Sequence, residues 1–232
     1  MILGFLVYFV FKNKDNFFKK DINQPTSTTT TLNSLPISFE TKNIIKDENT
    51  YSININYPYF KINFIDKSIN DFINEQINSF VNDFGSNKIF NDNKNTLDIV
   101  FDPYLISNDW VSLRFNSVIY TGGAHGNQQI STKNFDLSNQ QEVELKDLFK
   151  NDAYLTFLSS RAIEKFTNDN VSQASWIQDG ASAKYENFKN FTYTQDSQTM
   201  IFHFNPYQIA PYSEGILTLE IKRTELMDFL KH

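Results

Sequence analysis

The stretch from Lys67 to Phe84 constrains this chain more than any other. Ile69, Phe72, Ile73, Ile77, Phe80, Val81 and Phe84 recur at three- and four-residue steps, which puts all of them on one stripe of an α-helix. Such a stripe has to be covered by something apolar. Upstream, Tyr51, Ile53, Ile55 and Tyr57 alternate with Ser52, Asn54 and Asn56, the period of a sheet with one face in water. The two patterns together predict a helix laid across a sheet. Asp66 or Ser68 is expected to cap the helix, Gly85 to end it, and Pro58 to stop the preceding strand.

The remaining elements follow the same reading. Strands are predicted over Pro36–Lys46, Thr50–Tyr57, Thr96–Ile106, Trp110–Thr121 and Gln128–Leu137, with a polar loop from Ser86 to Asn95. A turn at Ser138–Gln141 leads to a helical turn at Lys146–Phe149. A second amphipathic helix covers Asp152–Phe166, with Leu155, Leu158, Ala162, Ile163 and Phe166 inward. Ser172–Gly180 fits no single pattern. Phe188–Thr194 and Thr199–Asn205 read as a hairpin, Ile216–Lys222 as the last strand, and Thr224–Leu230 as a closing helix capped by Thr224. Strands and helices segregate by region, so the fold class is α+β. It is expected as an antiparallel or mixed sheet with two main amphipathic helices packed on it, divisible into two sub-lobes.

Composition removes whole classes of function. In 232 residues the formal charge is −6, and only Arg114, Arg161 and Arg223 are arginine. Nucleic acid needs clustered cations, so it is not an expected partner. There is no cysteine, and the histidines are His125, His203 and His232. A thiolate nucleophile and a cysteine metal site are excluded, and no metal or cofactor is expected. Asparagine occurs 28 times, many on predicted strands and helices. That pattern reads as compositional drift and carries no functional weight.

Met1–Phe11 is an apolar run, about 16 Å long as a helix and half a hydrocarbon core. Lys12, Lys14, Lys19 and Lys20 follow it. Residues 1–20 are expected to be a truncated export signal or a short membrane anchor, the only membrane contact of the chain. Residues 21–35, rich in Ser, Thr and Asn, read as a tether. Residues 36–232 form the folded domain, expected outside the cytoplasm.

Two loops stand out. Tyr120–Asn127 (YTGGAHGN) holds Gly122, Gly123 and Gly126, three of the seven glycines in the chain. Glycine at this density marks positive φ or close backbone approach. Gly122, Gly123, His125 and Asn127 are candidate ligand-binding residues there. Phe204–Gly215 (FNPYQIAPYSEG) carries two Pro-Tyr pairs, Pro206-Tyr207 and Pro211-Tyr212. These predict a stiff, extended segment presenting tyrosines, which bury area at low entropic cost. His203 alternates with Phe202 and Phe204, is expected on a wet face, and has no assigned role.

Carboxylate pairs are the candidate catalytic acids. Asp98 and Asp102 share a strand face about 13 Å apart at 3.3 Å per residue, too far for paired glycosidic chemistry. Glu142, Glu144 and Asp109 read as solvent-facing, and no G-x-S-x-G elbow serves His125. No catalytic residue is assigned, and the expectation is a chain that is not an enzyme.

Several of these segments occur together in a known order. Tyr57-Pro58, the long helix, Tyr120–Asn127, Asn134-Phe135-Asp136-Leu137, Leu145–Phe149 and Phe204–Gly215 resemble the extracytoplasmic domain of RsiV-type lysozyme-sensing anti-sigma factors. The same order is similar to the N-terminal part of PdaC-type peptidoglycan deacetylases. The resemblance spans roughly residues 37–230. In the RsiV branch it implies direct binding of lysozyme, and in the PdaC branch a non-catalytic neighbour of a wall-modifying enzyme. With no cytoplasmic segment ahead of Met1 and no deacetylase region after His232, it implies a stand-alone exported binding module. The expected partner is a lysozyme-type protein, the alternative peptidoglycan or another glycan.

Overall fold

A computed structural model describes residues 37–86 and 93–231. The chain divides into two units, Met1–Ser34 and Leu35–His232, and the fold concerns the second. The expected leader and tether, Pro36, and most of the polar loop (87–92) lie outside the described residues.

β1 (Glu40–Asp47) and β2 (Tyr51–Tyr59) form an antiparallel pair. Helix α1 (Asn63–Phe84) then crosses over, so that β3 (Asn95–Ile106) returns parallel to β2. β4 (Trp110–Tyr120), β5 (Asn127–Asp136) and the two-residue β6 (Gln141–Glu142) add antiparallel, completing a six-stranded sheet in sequence order. Helices α2 (Leu145–Leu148), α3 (Ala153–Asn168), α4 (Ala174–Gly180) and α5 (Tyr185–Phe188) follow. An antiparallel three-stranded sheet of β7 (Phe191–Tyr193), β8 (Thr199–Phe204) and β9 (Leu217–Lys222) leads to α6 (Arg223–Leu226). The fold is α+β.

The α1 stripe is buried as its periodicity requires. Ile69, Ile73, Ile77 and Phe80 pack on Ile53, Ile55, Leu97, Ile99, Val111, Leu113 and Phe115 of the large sheet. Each such side chain contributes about 1.5–3 kcal/mol by leaving water. The helix starts at Asn63, earlier than expected, and neither Asp66 nor Ser68 is its cap. Asp66 instead sits buried in the first turn, where its Oδ1 accepts the Phe60 N–H at 2.8 Å and fixes the entry of the chain. Pro58 does not stop β2. It lies within the strand beyond Ile55, the last residue paired to β3.

A second core forms around α3, whose Leu155, Leu158, Ala162 and Phe166 meet Phe202, Phe204, Leu219 and Ile221 of the small sheet. The two cores correspond to the two expected sub-lobes. Ser172–Gly180 resolves into α4. Phe188 belongs to a helical turn and not to the hairpin, and α6 starts behind Lys222, with no cap from Thr224. Among the described residues no helix is long and apolar enough to cross a membrane.

The sheets meet through a polar seam that the period-2 pattern of β4 and β5 leaves on their second face. Ser112 Oγ donates to Asn134 Oδ1 (2.6 Å) and accepts the Tyr193 N–H (3.1 Å). Asn134 Nδ2 donates to the Phe191 carbonyl (2.9 Å), and Thr132 Oγ1 accepts the Phe191 N–H (3.0 Å). Side chains thus replace a strand ladder for β7. His203 lies in the same seam, only 1% exposed, which corrects its expected wet position. As the central strand of its sheet, β8 has helices over Phe202 and Phe204 and the large sheet over His203, which meets the Tyr104 ring edge-on at 5.2 Å.

Candidate functional site

The two loops chosen from sequence, more than 75 residues apart, come together at one exposed corner. The first connects β4 to β5. Gly122 (φ 84°) and Gly123 (φ 156°) occupy backbone that side-chain-bearing residues rarely adopt, and the Tyr120 hydroxyl donates to the Gly123 carbonyl at 3.2 Å. This sharp turn presents His125 outward. Asn127 opens β5 opposite Ile119 and is exposed, away from the ring cluster described next.

The second loop is not the extended segment expected. Asn205–Gln208 closes as a turn, with the Gln208 N–H donating to the Asn205 carbonyl at 3.0 Å. Pro206 is the second residue and Tyr207, at φ 68°, the third, a type II pattern whose third position prefers glycine. Pro211 then leads into a single 3-10 turn, Tyr212–Glu214. Pro206 is buried and anchors the turn, while Pro211 is exposed.

A tyrosine in left-handed backbone persists only where its surroundings over-determine it. Gln208 supplies this support. Its Oε1 accepts the Asn205 N–H (3.1 Å), and its Nε2 donates to the carbonyls of Gly180 (3.1 Å) and Asn187 (3.0 Å). Trp176 Nε1 holds the Tyr207 carbonyl (3.1 Å), and Asn205 Oδ1 ties the turn to the Ile130 N–H (2.6 Å). Gly180 lies so close that a Cβ there would stand 1.8 Å from the Gln208 carbonyl oxygen. Gly180→Ala is therefore expected to displace the turn and lower stability by about 2 kcal/mol, read by denaturant unfolding.

The rings form one cluster. His125 stacks on Tyr212 at 3.8 Å between centroids and 14° between planes, and Tyr207 lies 5.5 Å from Tyr212. His125 Nδ1–H donates to the Gly126 carbonyl (3.0 Å), which leaves Nε2 to accept from the Tyr207 hydroxyl (3.3 Å). Tyr207 is 51% exposed, unusual for a large ring. The result is a braced aromatic rim. His125, Tyr207 and Tyr212 meet in it; Gly122, Gly123, Pro206 and Pro211 shape its backbone; Asn127 stays outside the cluster. Sequence reasoning missed Trp176, Gly180 and the bracing role of Gln208. The available signal was a lone glycine and a tryptophan inside a segment of no clear period.

Of the five carboxylates named above, Asp102, Glu142 and Glu144 are held in ion pairs. Asp102 Oδ2 accepts Arg114 Nη2 (2.7 Å) and Nε (3.1 Å), and Glu142 pairs with Lys133 (2.7 Å). Among the described residues no three His, Asp or Glu side chains gather into a metal-binding group.

Comparison with known proteins places both loops in matched regions. Residues 44–128 match the family described as Deacetylase PdaC, and residues 146–224 the family described as Protein of unknown function (DUF3298). The chain is 29% identical over 196 residues to the peptidoglycan-N-acetylmuramic acid deacetylase PdaC of Bacillus subtilis (strain 168). This chain resembles a PdaC-type domain. The alignment covers 83% of this chain and 42% of that protein, so this chain spans about two fifths of the relative's length. Two solved structures share its fold. A DUF3298 family protein from Pseudomonas aeruginosa PAO1 superposes with a TM-score of 0.63 at 16% identity, covering 86% of this chain and 95% of that one. A second, from Bacteroides fragilis NCTC 9343, gives 0.56 at 17% identity, covering 84% and 94%. The rim draws its histidine from the segment that matches PdaC and its tyrosines from the segment that matches DUF3298.

Proposed function

We propose that this domain is a non-catalytic recognition module of the cell envelope, working outside the cytoplasm, whose rim of His125, Tyr207 and Tyr212 binds a lysozyme-type protein. The observation that carries the reading is the braced convergence of the two loops. A tyrosine held at positive φ and half exposed is arranged for contact, because the core gains nothing from it. Tyrosine on a rigid turn loses little entropy on binding. The formal charge of −6 favours encounter with a strongly basic protein. No rim residue lines the groove walled by Lys133 and Tyr185 or the one walled by Tyr59 and Asn70, which suits contact with a protein surface.

A second reading is an accessory glycan-binding domain in cell-wall modification. It is supported by the peptidoglycan named for the Bacillus subtilis relative and by the exposed Tyr207 ring, which could stack on a sugar.

Calorimetric titration of the full chain with lysozyme at low ionic strength tests the first reading. Binding is expected, weakening as salt rises, and Tyr207→Ala or Tyr212→Ala should each weaken it about 30-fold, or about 2 kcal/mol. Binding of soluble peptidoglycan chains without lysozyme binding would transfer the rim to the second reading. Binding of neither would overturn both. New products after incubation with peptidoglycan would contradict the non-catalytic assignment.

A further inference from the structure

A groove of about 230 Å³ lies where the free edge of β5 faces α5 and the start of β7, with Lys133, Glu142, Glu144, Tyr185 and Lys189 among its walls. The large sheet is unfinished here. β6 pairs only with Phe135 and Asp136, so the rest of β5 has β4 on one side and no paired strand on the other among the described residues. Three bonds fix which backbone groups point outward. The Leu137 N–H donates inward, to the Asp109 carbonyl (3.0 Å). The Ile130 N–H points out, to Asn205 Oδ1 (2.6 Å), and the Asn134 carbonyl points out, to the Val143 N–H (2.8 Å). Backbone groups alternate sides along an antiparallel strand, so the N–H and C=O of Thr132 also point out, into the groove. The Thr132 hydroxyl is engaged by the Phe191 N–H, and among the described residues no hydrogen bond to the outward Thr132 N–H or carbonyl is found.

We propose that this groove binds a short extended peptide, one residue of which pairs with Thr132 by exchanging both backbone hydrogen bonds. Strand addition ordinarily runs along many residues. Here Asn205 closes the edge at Ile130 and Val143 closes it at Asn134, about 13 Å apart at 3.3 Å per residue, room for about three residues. A peptide that short brings both of its charged ends into the groove, and the walls carry both signs. Lys133, which also pairs with Glu142 (2.7 Å), and Lys189, which also pairs with Glu186 (2.5 Å), are the cations offered to its carboxylate. Glu144, which accepts from Lys146 (2.6 Å) and the Tyr185 hydroxyl (3.1 Å), faces its ammonium group. The Lys146 bond, with smaller help from Tyr185, holds the Glu144 carboxyl below the usual range and keeps it charged. An N-acyl sugar fits less well, since the N–H and C=O of one trans amide point opposite ways and cannot meet both Thr132 groups. The site is separate from the rim and does not rest on its function.

Titration of the isotope-labelled full chain with zwitterionic trialanine, followed by amide NMR, tests the proposal. The Thr132 amide is expected to shift and to exchange more slowly, with a dissociation constant of about a millimolar. Methylating the central amide nitrogen of the peptide removes the donor to the Thr132 carbonyl without touching the protein, and should weaken binding about fivefold or more. Glu144→Gln and Lys189→Gln, both at exposed side chains, should weaken trialanine but leave binding of N-acetyl-trialanine amide, whose ends carry no charge, unchanged. Equal binding of the N-methylated peptide would overturn the proposal. So would shifts confined to the rim, or no Thr132 response at about 20 millimolar, well beyond that constant.

Discussion

Lowering the pH from 7 to 4 is expected to cost the folded domain about 3 kcal/mol through His203 alone. Burial of the ring, with a smaller push from the nearby Arg114 guanidinium, brings its pKa down from 6.5 to about 3. Nε2 lies 2.8 Å from Thr192 Oγ1, and Nδ1 has no hydrogen-bond partner, so nothing offsets a second proton. From the large sheet the ring faces Tyr104 and the Asp102–Arg114 pair, in which Asp102 is already committed to Arg114. Glu220 and Lys222 share its face of the small sheet but are exposed and lie farther along β9 than Thr218, its direct partner. Above pH 6.5 both folded and unfolded chains carry a neutral ring, and stability does not respond. Below 6.5 the unfolded chain takes up a proton that the folded chain refuses. Stability then falls by about 1.4 kcal/mol per pH unit until about pH 3. Urea unfolding of the parent chain and His203→Gln at pH 7, 5.5 and 4 measures this. Carboxyls whose pKa is lowered by partners, such as Glu144 and Asp196, lose their contribution at low pH in both chains alike. The difference between the two chains should therefore shrink by about 3 kcal/mol over this range, and a constant difference would refute the assignment.

Asn134→Leu is expected to lower stability by about 3 kcal/mol and to loosen the junction of the two sheets. Asn134 is 2% exposed, and it closes a circuit from the Tyr193 N–H through Ser112 to its own Oδ1 and from its Nδ2 to the Phe191 carbonyl. Leucine keeps the volume but leaves the Phe191 carbonyl without a donor and the Ser112 O–H without an acceptor in a dry seam, at about 1–3 kcal/mol each. Because one circuit is broken twice, Ser112→Ala and Asn134→Leu combined should cost less than the sum of the single losses. Guanidinium unfolding of the four chains measures the coupling. Simple additivity would mean that the seam does not act as one network.

The contrast between the two histidines shows what the residues alone could reveal. His125 was picked out by the glycines around it, since a dense glycine cluster can be read locally as backbone at positive φ. His203 was misplaced because its alternation with Phe202 and Phe204 shows only that it faces the other way from them. Whether that face is wet depends on the six-stranded sheet lying over it. The same limit explains Pro58, inside a strand whose pairing to β3 had already stopped at Ile55, and Asn134, a polar residue at a strand position that in isolation signals water. Trp176 and Gly180, both in α4, brace the Tyr207 turn from an element that shares no local pattern with it.

Local periodicity was enough for the α+β class, the long helix and its buried stripe, most strands, and the two loops that carry glycine and proline. Those features depend on neighbours a few residues away, where spacing and backbone preference act directly. Three things awaited the packed chain: the meeting of the loops in one rim, the polar seam that joins the sheets, and the open β5 edge at Thr132. Each depends on groups distant along the chain satisfying, or failing to satisfy, one another's hydrogen bonds. That accounting closes only when the whole chain is folded.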